Sequence, residues 1–280
     1  MIGLSIIIST YKESVVLVMP KHILIFDSGI GGLSVFKEIQ YQLPLVKYIY
    51  AFDNAGFPYG ELTESVLIER TTHIISQLCA KFTIDIVVIA CNTASTIVLP
   101  TLRDKLSIPV VGVVPAIKPA ALVSTKIGLL ATPATVKRSY TYDLIKSFAP
   151  ISDVQLLGST RLVEMAEEKM IGIDVDLEEL KDILAPWHSK VDTIVLGCTH
   201  FPFLRNEIKK VLSDDVLLID SGEAIARRVK QLLGDYKEER KEMIKGEVFC
   251  SASTKNEEAL NKTFQELGFS PLQYLGYPKF

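Results

Sequence analysis

The strongest constraint on this chain is a stretch it uses twice. Residues 85–94 read Asp85-Ile86-Val87-Val88-Ile89-Ala90-Cys91-Asn92-Thr93-Ala94, and residues 192–201 read Asp192-Thr193-Ile194-Val195-Leu196-Gly197-Cys198-Thr199-His200-Phe201. Each copy is an aspartate, a short apolar run rich in β-branched residues, one small residue, then a cysteine followed by hydrogen-bonding side chains. Such runs form strands buried on both faces. A second pair echoes the first: Phe26-Asp27-Ser28-Gly29 and Ile219-Asp220-Ser221-Gly222 each follow an apolar run. Two similar halves, each ending a buried strand in a thiol, predict a site between them with one sulfur on each side.

The bulk properties narrow the class. A length of 280 residues suggests two domains, and 48% hydrophobic with 22% charged residues describes a globular protein with ample core. The net charge of -3 gives no basic footprint for nucleic acid or an anionic membrane surface, and the densest basic run, Lys237 to Lys245, alternates in sign like a solvated helix face. The four cysteines, Cys79, Cys91, Cys198 and Cys250, form no C-x-x-C pair, which favours free thiols in the reducing cytoplasm. Cys79 lies in a helical pattern and Cys250 in a strand pattern, so both read as buried packing residues. Residues 1–20 read as an N-terminal extension. Their apolar pieces are too short to span a bilayer, and no basic region or cleavage site marks a secretory signal.

From Lys21 onward, apolar runs alternate with amphipathic segments of ten residues or more. That alternation predicts mainly parallel sheets flanked by helices. Pro109 to Pro115 reads as a strand leading into a second domain, and the segment Glu223 to Leu233 as a helix carrying the chain back. The expected organisation is a first α/β domain of residues 21–114 plus 224–280 and a second of residues 115–223. The two are pseudo-symmetric, with the active site in the cleft between them. Thr63 is expected to cap the helix that follows it.

Ligands of open parallel sheets bind beyond the carboxyl ends of the strands. Four groups fall there: Asp27-Ser28, Pro58-Tyr59-Gly60, Cys91-Asn92-Thr93 and Cys198-Thr199-His200. They carry two thiols, a carboxylate, an imidazole and neutral hydrogen-bonding groups, but no Lys or Arg. Asp27-Ser28-Gly29-Ile30-Gly31-Gly32 could cradle an anion at a helix start, or it could be a tight turn that needs glycine. Cys91, Cys198 and His200 could ligate zinc, although Cys198-x-His200 lacks a zinc-ribbon spacing. Cys91 could be the nucleophile of a Cys–His hydrolase, which leaves Cys198 idle. A non-catalytic binding protein with inert cysteines is a further alternative. Inverting a stereocentre by proton transfer needs a base on one face and an acid on the other, and this reading uses both thiols. It requires thiols poised near working pH, with Asp27 relaying protons at Cys91 and His200 favouring a Cys198 thiolate.

These residues resemble the glutamate racemases of the cofactor-independent aspartate/glutamate racemase family. The resemblance rests on Phe26 to Gly32, Phe57-Pro58-Tyr59-Gly60-Glu61, Ala90 to Ala94, Leu162-Val163-Glu164 and Gly197 to Pro202, and spans about residues 22 to 270. Aspartate racemases share the two cysteines but differ in the first loop. The resemblance implies interconversion of L- and D-glutamate, supply of D-glutamate for peptidoglycan, no cofactor or metal, and a homodimer. It gives Cys91 the α-proton of the D-enantiomer and Cys198 that of the L-enantiomer, with Asp27, His200 and Glu164 assisting. It places Asp27, Ser28, Tyr59, Gly60, Asn92, Thr93, Thr199 and His200 around the substrate. Some relatives with an N-terminal extension respond to a peptidoglycan-precursor nucleotide, but residues 1–20 show no nucleotide-binding pattern.

Overall fold

The computed structural model describes residues 20–234 and 242–276. Nearly all of the expected N-terminal extension and part of the Tyr236–Lys245 segment lie outside the described residues.

The first part of the chain runs β1 (His22–Asp27), α1 (Leu33–Gln42), β2 (Lys47–Phe52), α2 (Glu64–Lys81), β3 (Ile86–Ile89), α3 (Asn92–Lys105) and β4 (Val110–Gly112). A middle part follows with α4 (Ile117–Ala121), β5 (Lys126–Ala131), α5 (Pro133–Lys137), α6 (Ser139–Phe148) and β6 (Asp153–Gly158). Then come α7 (Arg161–Met170), α8 (Leu177–Leu184), β7 (Thr193–Leu196), α9 (Arg205–Leu212) and β8 (Leu217–Ile219). The chain closes with α10 (Gly222–Leu233), β9 (Glu247–Cys250), α11 (Glu257–Glu266) and β10 (Gln273–Tyr274). Among the described residues, no helix is long and apolar enough to cross a membrane.

The strands form two sheets in which every described pairing is parallel. The six-stranded sheet has the order β10-β9-β2-β1-β3-β4 and the four-stranded sheet the order β6-β5-β7-β8. The segment β2-β1-β3-β4 of the first repeats β6-β5-β7-β8 of the second, so β3 and β7 hold the same place. The register agrees: Phe26 pairs with Ile89, and Leu130 with Leu196. At the amino ends, Asp85 N–H donates to the His22 carbonyl at 3.0 Å and Asp192 N–H to the Lys126 carbonyl at 3.2 Å. At the carboxyl ends, Ala90 N–H donates to Phe26 at 2.8 Å and Gly197 N–H to Leu130 at 2.7 Å. The doubled stretch is therefore a structural repeat, and Cys91 and Cys198 are equivalent positions.

The Asp-Ser-Gly echo is not part of that repeat. Asp27 ends β1, whose counterpart is β5, and the residue there is Ala131. Asp220 follows β8, an edge strand. Its carboxylate accepts from Arg205 at 2.6 Å and from the Gly222 N–H at 2.8 Å, while the Ser221 hydroxyl donates to the Val114 carbonyl. The second motif thus fastens together the two places where the chain passes between sheets.

Three helix starts have local features of their own. The segment from Thr135 to Ser147 is two helices, because Arg138 is extended (ψ 141°) where it reaches Glu64, 2.8 Å away. The segment from His200 to Leu212 opens as a 3-10 turn, Phe201–Leu204, with Pro202 inside it, before α9 begins. Thr63 holds the capping position of α2, but its hydroxyl pairs with Ser65 at 3.2 Å and not with the helix backbone.

Candidate active site

Parallel registration brings the carboxyl ends of β1 and β3 toward those of β5 and β7 across one cavity. It is lined by Ser28, Pro58, Tyr59, Gly60, Cys91, Asn92, Thr93, Thr132, Thr160, Val163, Cys198, Thr199 and His200. Both thiols are almost fully buried. Among the described residues no group of three or more His, Cys, Asp or Glu is placed to hold a metal ion.

The surroundings of the two sulfurs differ. Cys91 is the N-cap of α3, and its Sγ accepts the Ala94 N–H at 3.5 Å and lies 3.8 Å from the Ser28 hydroxyl. Burial pushes the Cys91 thiol well up, and the nearby Asp27 carboxylate pushes it further, against the Ala94 N–H and Ser28. Cys91 therefore rests as a thiol and needs help to become a base. Cys198 precedes a turn that folds His200 back, so its Sγ lies 3.6 Å from His200 Nδ1. The other ring nitrogen, Nε2, is 2.8 Å from Glu167 Oε1. Burial alone would lower the His200 pKa, but the bonds to Cys198 and Glu167 overcome it and hold the imidazole well above its usual value.

Asp27 is completely buried at the end of β1. Its Oδ1 accepts the Ser28 N–H at 2.8 Å and its Oδ2 the Thr199 hydroxyl at 3.0 Å. Burying a carboxylate costs several kcal/mol, more than two such bonds return. Its pKa is accordingly raised by burial, with the neighbouring His200 charge opposing. A carboxyl group of this kind can hold a proton beside Cys91 that an exposed aspartate would release.

Three bonds tie the glycine loop to the opposite half. Thr199 donates to Asp27, the Ser34 hydroxyl donates to the Thr199 carbonyl at 2.7 Å, and the Ile30 N–H donates to Glu167 Oε1 at 2.8 Å. Gly31 explains part of the glycine content: a Cβ there would collide with the His200 ring. Position 31 needs glycine because an imidazole packs on its backbone.

The comparisons with known proteins point the same way. Residues 30–229 match the family Asp/Glu/Hydantoin racemase. A glutamate racemase from Aliivibrio fischeri (strain ES114) is 83% identical over 262 residues, covering 94% of this chain and 100% of that protein. One from Vibrio cholerae is 57% identical, covering 91% and 97% respectively. The crystal structure of Escherichia coli glutamate racemase, in complex with L-glutamate and the activator UDP-MurNAc-ala, superposes with a TM-score of 0.87 at 48% identity. It is covered in full and matches 93% of this chain. The chain belongs to the glutamate racemase family. Its two sheets of parallel strands are those expected of that family's two-domain α/β fold.

The structure brings together all but one of the residues expected at the site. Glu164 is the exception: its side chain is 49% exposed, it pairs with Arg161 at 3.3 Å, and it lines a neighbouring pocket. The carboxylate beside His200 is Glu167, one turn further along α7. Helical spacing explains this, since Val163 lines the site and position 167 lies on the same face at i+4. Tyr59 also differs from a simple binding side chain. Its hydroxyl donates to Asp53 at 2.7 Å and is thereby engaged away from a ligand, while Tyr59 and Gly60 both line the cavity.

Residues that sequence reasoning missed come from the second half. Thr132 caps α5 and shares a hydroxyl cluster with Thr93 at 3.1 Å and Thr135 at 2.9 Å. A signal was present: Thr132 precedes Pro133, a helix-start pattern, directly after a buried strand. By register it is the counterpart of Ser28.

His200 gives a stability prediction. A folded-state pKa raised above the unfolded value of about 6.5 contributes stability below that pH and loses it as pH rises through the folded value. The stability lost by Glu167→Gln, followed by urea unfolding, should be largest near about pH 6 and shrink at alkaline pH. A loss that grows with pH would contradict the charge assignment.

Proposed function

We propose that the chain interconverts L- and D-glutamate by proton transfer between two cysteines on opposite faces of the α-carbon. The observation that carries this reading is the equivalence of Cys91 and Cys198 at the ends of β3 and β7, on one enclosed cavity. With L-glutamate, the Cys198 thiolate takes the α-proton while the Cys91 thiol delivers one to the other face. The product is D-glutamate, with Cys198 as thiol and Cys91 as thiolate. The reverse reaction exchanges the roles. Asp27 returns a proton to the Cys91 side, and the His200–Glu167 pair serves the Cys198 side. Ser28, Asn92, Thr93 and Thr199, with the main chain of Tyr59 and Gly60, bind the carboxylates and the ammonium. Recognition by neutral donors avoids overbinding the ground state, which would not speed the chemical step.

The domains would divide at residues 115 and 223, near Val114 and Ser221, where the chain changes sheets. The setting would be the cytoplasm, where D-glutamate serves peptidoglycan synthesis, and the four unpaired thiols suit it. The enzyme would act as a homodimer, for which exposed Leu122, Val123 and Ile151 offer apolar surface.

The deciding assay incubates purified, chelator-treated protein with each enantiomer of glutamate, and with L-aspartate, in deuterated buffer. Loss of optical activity with deuterium gained at the α-carbon is expected for glutamate. No exchange with either glutamate enantiomer would sink the reading.

A further inference from the structure

The loop that carries Tyr59 and Gly60 is built over a buried charge pair. Asp53 follows β2 directly and extends the parallel ladder, its N–H donating to the Asp27 carbonyl at 3.1 Å. Its side chain has no solvent exposure. Arg70, in the second turn of α2, reaches it with both arms of the guanidinium fork: Nε to Oδ2 at 2.6 Å and Nη2 to Oδ1 at 2.7 Å. The Tyr59 hydroxyl donates to the same Oδ2 at 2.7 Å. Burial, followed by the Asp53 charge, raises the Tyr59 pKa far beyond its usual value, so this phenol keeps its proton and stays a donor.

The rest of the loop closes around the pair. The Gly56 N–H donates to the Asp53 carbonyl at 3.0 Å. A Cβ on Gly56 would stand 2.6 Å from Arg70 Nε and 2.8 Å from Asp53 Oδ2, so only glycine lets the backbone pass this close. Asn54 Nδ2 donates to the Ala252 carbonyl at 2.7 Å and Ala55 N–H to the Ser251 hydroxyl at 3.0 Å, which anchors the loop's first half to the end of β9. Its second half, with Tyr59 and Gly60, is tied to the sheet by the phenol–Asp53 bond and by the Tyr59 ring, whose centroid lies 6.2 Å from that of Phe26. The path therefore runs from Arg70 through Asp53 and Tyr59 to the segment that lines the cavity.

We infer that Arg70 is a positioning residue for substrate binding, holding the Tyr59–Gly60 wall in place through Asp53. This rests on the reading of the cleft as the glutamate site. A buried pair of this kind is a poor source of net stability, because desolvation offsets most of the attraction, but its fork fixes orientation at two points. The two thiols hang from β3 and β7 and do not depend on this wall. A displaced wall should therefore weaken ground state and transition state alike, which raises KM and leaves kcat nearly unchanged.

The test measures kcat and KM in both directions for the parent, Arg70→Lys and Arg70→Gln, with thermal melts to confirm folding. Arg70→Gln, which breaks the fork, should raise KM about ten-fold or more in both directions, with kcat within about three-fold of the parent. Arg70→Lys, which keeps the charge at a single point, should fold like the parent yet recover only part of the KM. If Arg70→Gln does not fold, Arg70→Lys decides alone: a KM raised about three-fold or more supports the inference, and a parental KM overturns it. A loss of kcat at parental KM in either folded variant marks a merely structural role and also overturns it. A parent that racemises glutamate while both variants keep its KM defeats the inference alone; a parent that does not racemise defeats the reading of the site as well.

Discussion

Cys91→Ser and Cys198→Ser should each lower racemisation of glutamate by about 10³-fold, within the 10²–10⁴ contributed by a positioned acid or base. The substitution keeps shape and burial but replaces a thiol with a hydroxyl that is far too weakly acidic to act as a base at neutral pH. One remaining thiol serves one face of the α-carbon, and inversion needs both. The two variants should fold, because Cys91 and Cys198 end their strands and the apolar runs behind them are untouched. Decay of the circular dichroism of a single glutamate enantiomer gives the rate, and a melt checks the fold. Normal racemisation by either variant would rule out the two-thiol scheme.

Glu167→Gln has the next largest expected effect. The change removes the carboxylate 2.8 Å from His200 Nε2, and with it a force that holds the imidazole pKa up. His200 then loses its proton at lower pH, and the alkaline limb of the kcat/KM profile should move to lower pH. A drop of about ten-fold to a hundred-fold at neutral pH is expected, since the group acts through His200 and does not touch the reacting carbon. Glu164→Gln is the control. Its side chain is half-exposed and pairs with Arg161, so activity should stay within about two-fold and the profile should not move. If Glu164→Gln is the damaging change and Glu167→Gln is silent, the assignment made from the geometry is wrong.

Asp27→Asn tests the other side. It keeps an acceptor for the Ser28 N–H, and its amide nitrogen can donate to the Thr199 hydroxyl, but it cannot exchange a proton beside Cys91. A kcat/KM lower by about 10²-fold with an unchanged melting temperature is the expected result. Full activity would remove Asp27 from the proton path.

The sequence made the repeat legible because it is written in buried strands. An apolar run rich in β-branched residues between an aspartate and a cysteine fixes a strand, its two ends and the group presented at its tip. That is why both thiols, Asp27 and the polar residues after each cysteine could be placed before any coordinates. The Asp220 echo misled for a related reason: a turn after a strand looks alike whether the strand is central or an edge, and only the order β6-β5-β7-β8 separates the cases. Glu164 and Glu167 were harder still. Both lie on an acidic helix, and which one faces His200 depends on how α7 is rotated about its axis. Thr132 escaped because its partners, Thr93 and Thr135, come from different halves of the chain. Arg70 escaped because nothing in a helix sequence shows a charge turning inward to meet a loop.

The unlike surroundings of the two sulfurs carry a thermodynamic consequence. The substrates are mirror images with equal free energies in water, so their equilibrium constant is unity and kcat/KM must be the same from either side. The capped, acid-flanked Cys91 and the imidazole-paired Cys198 therefore cannot drive the reaction toward one hand. Their difference can appear only in how each direction divides its efficiency between turnover and saturation. A preference for making the D-form has to come from whatever removes that product.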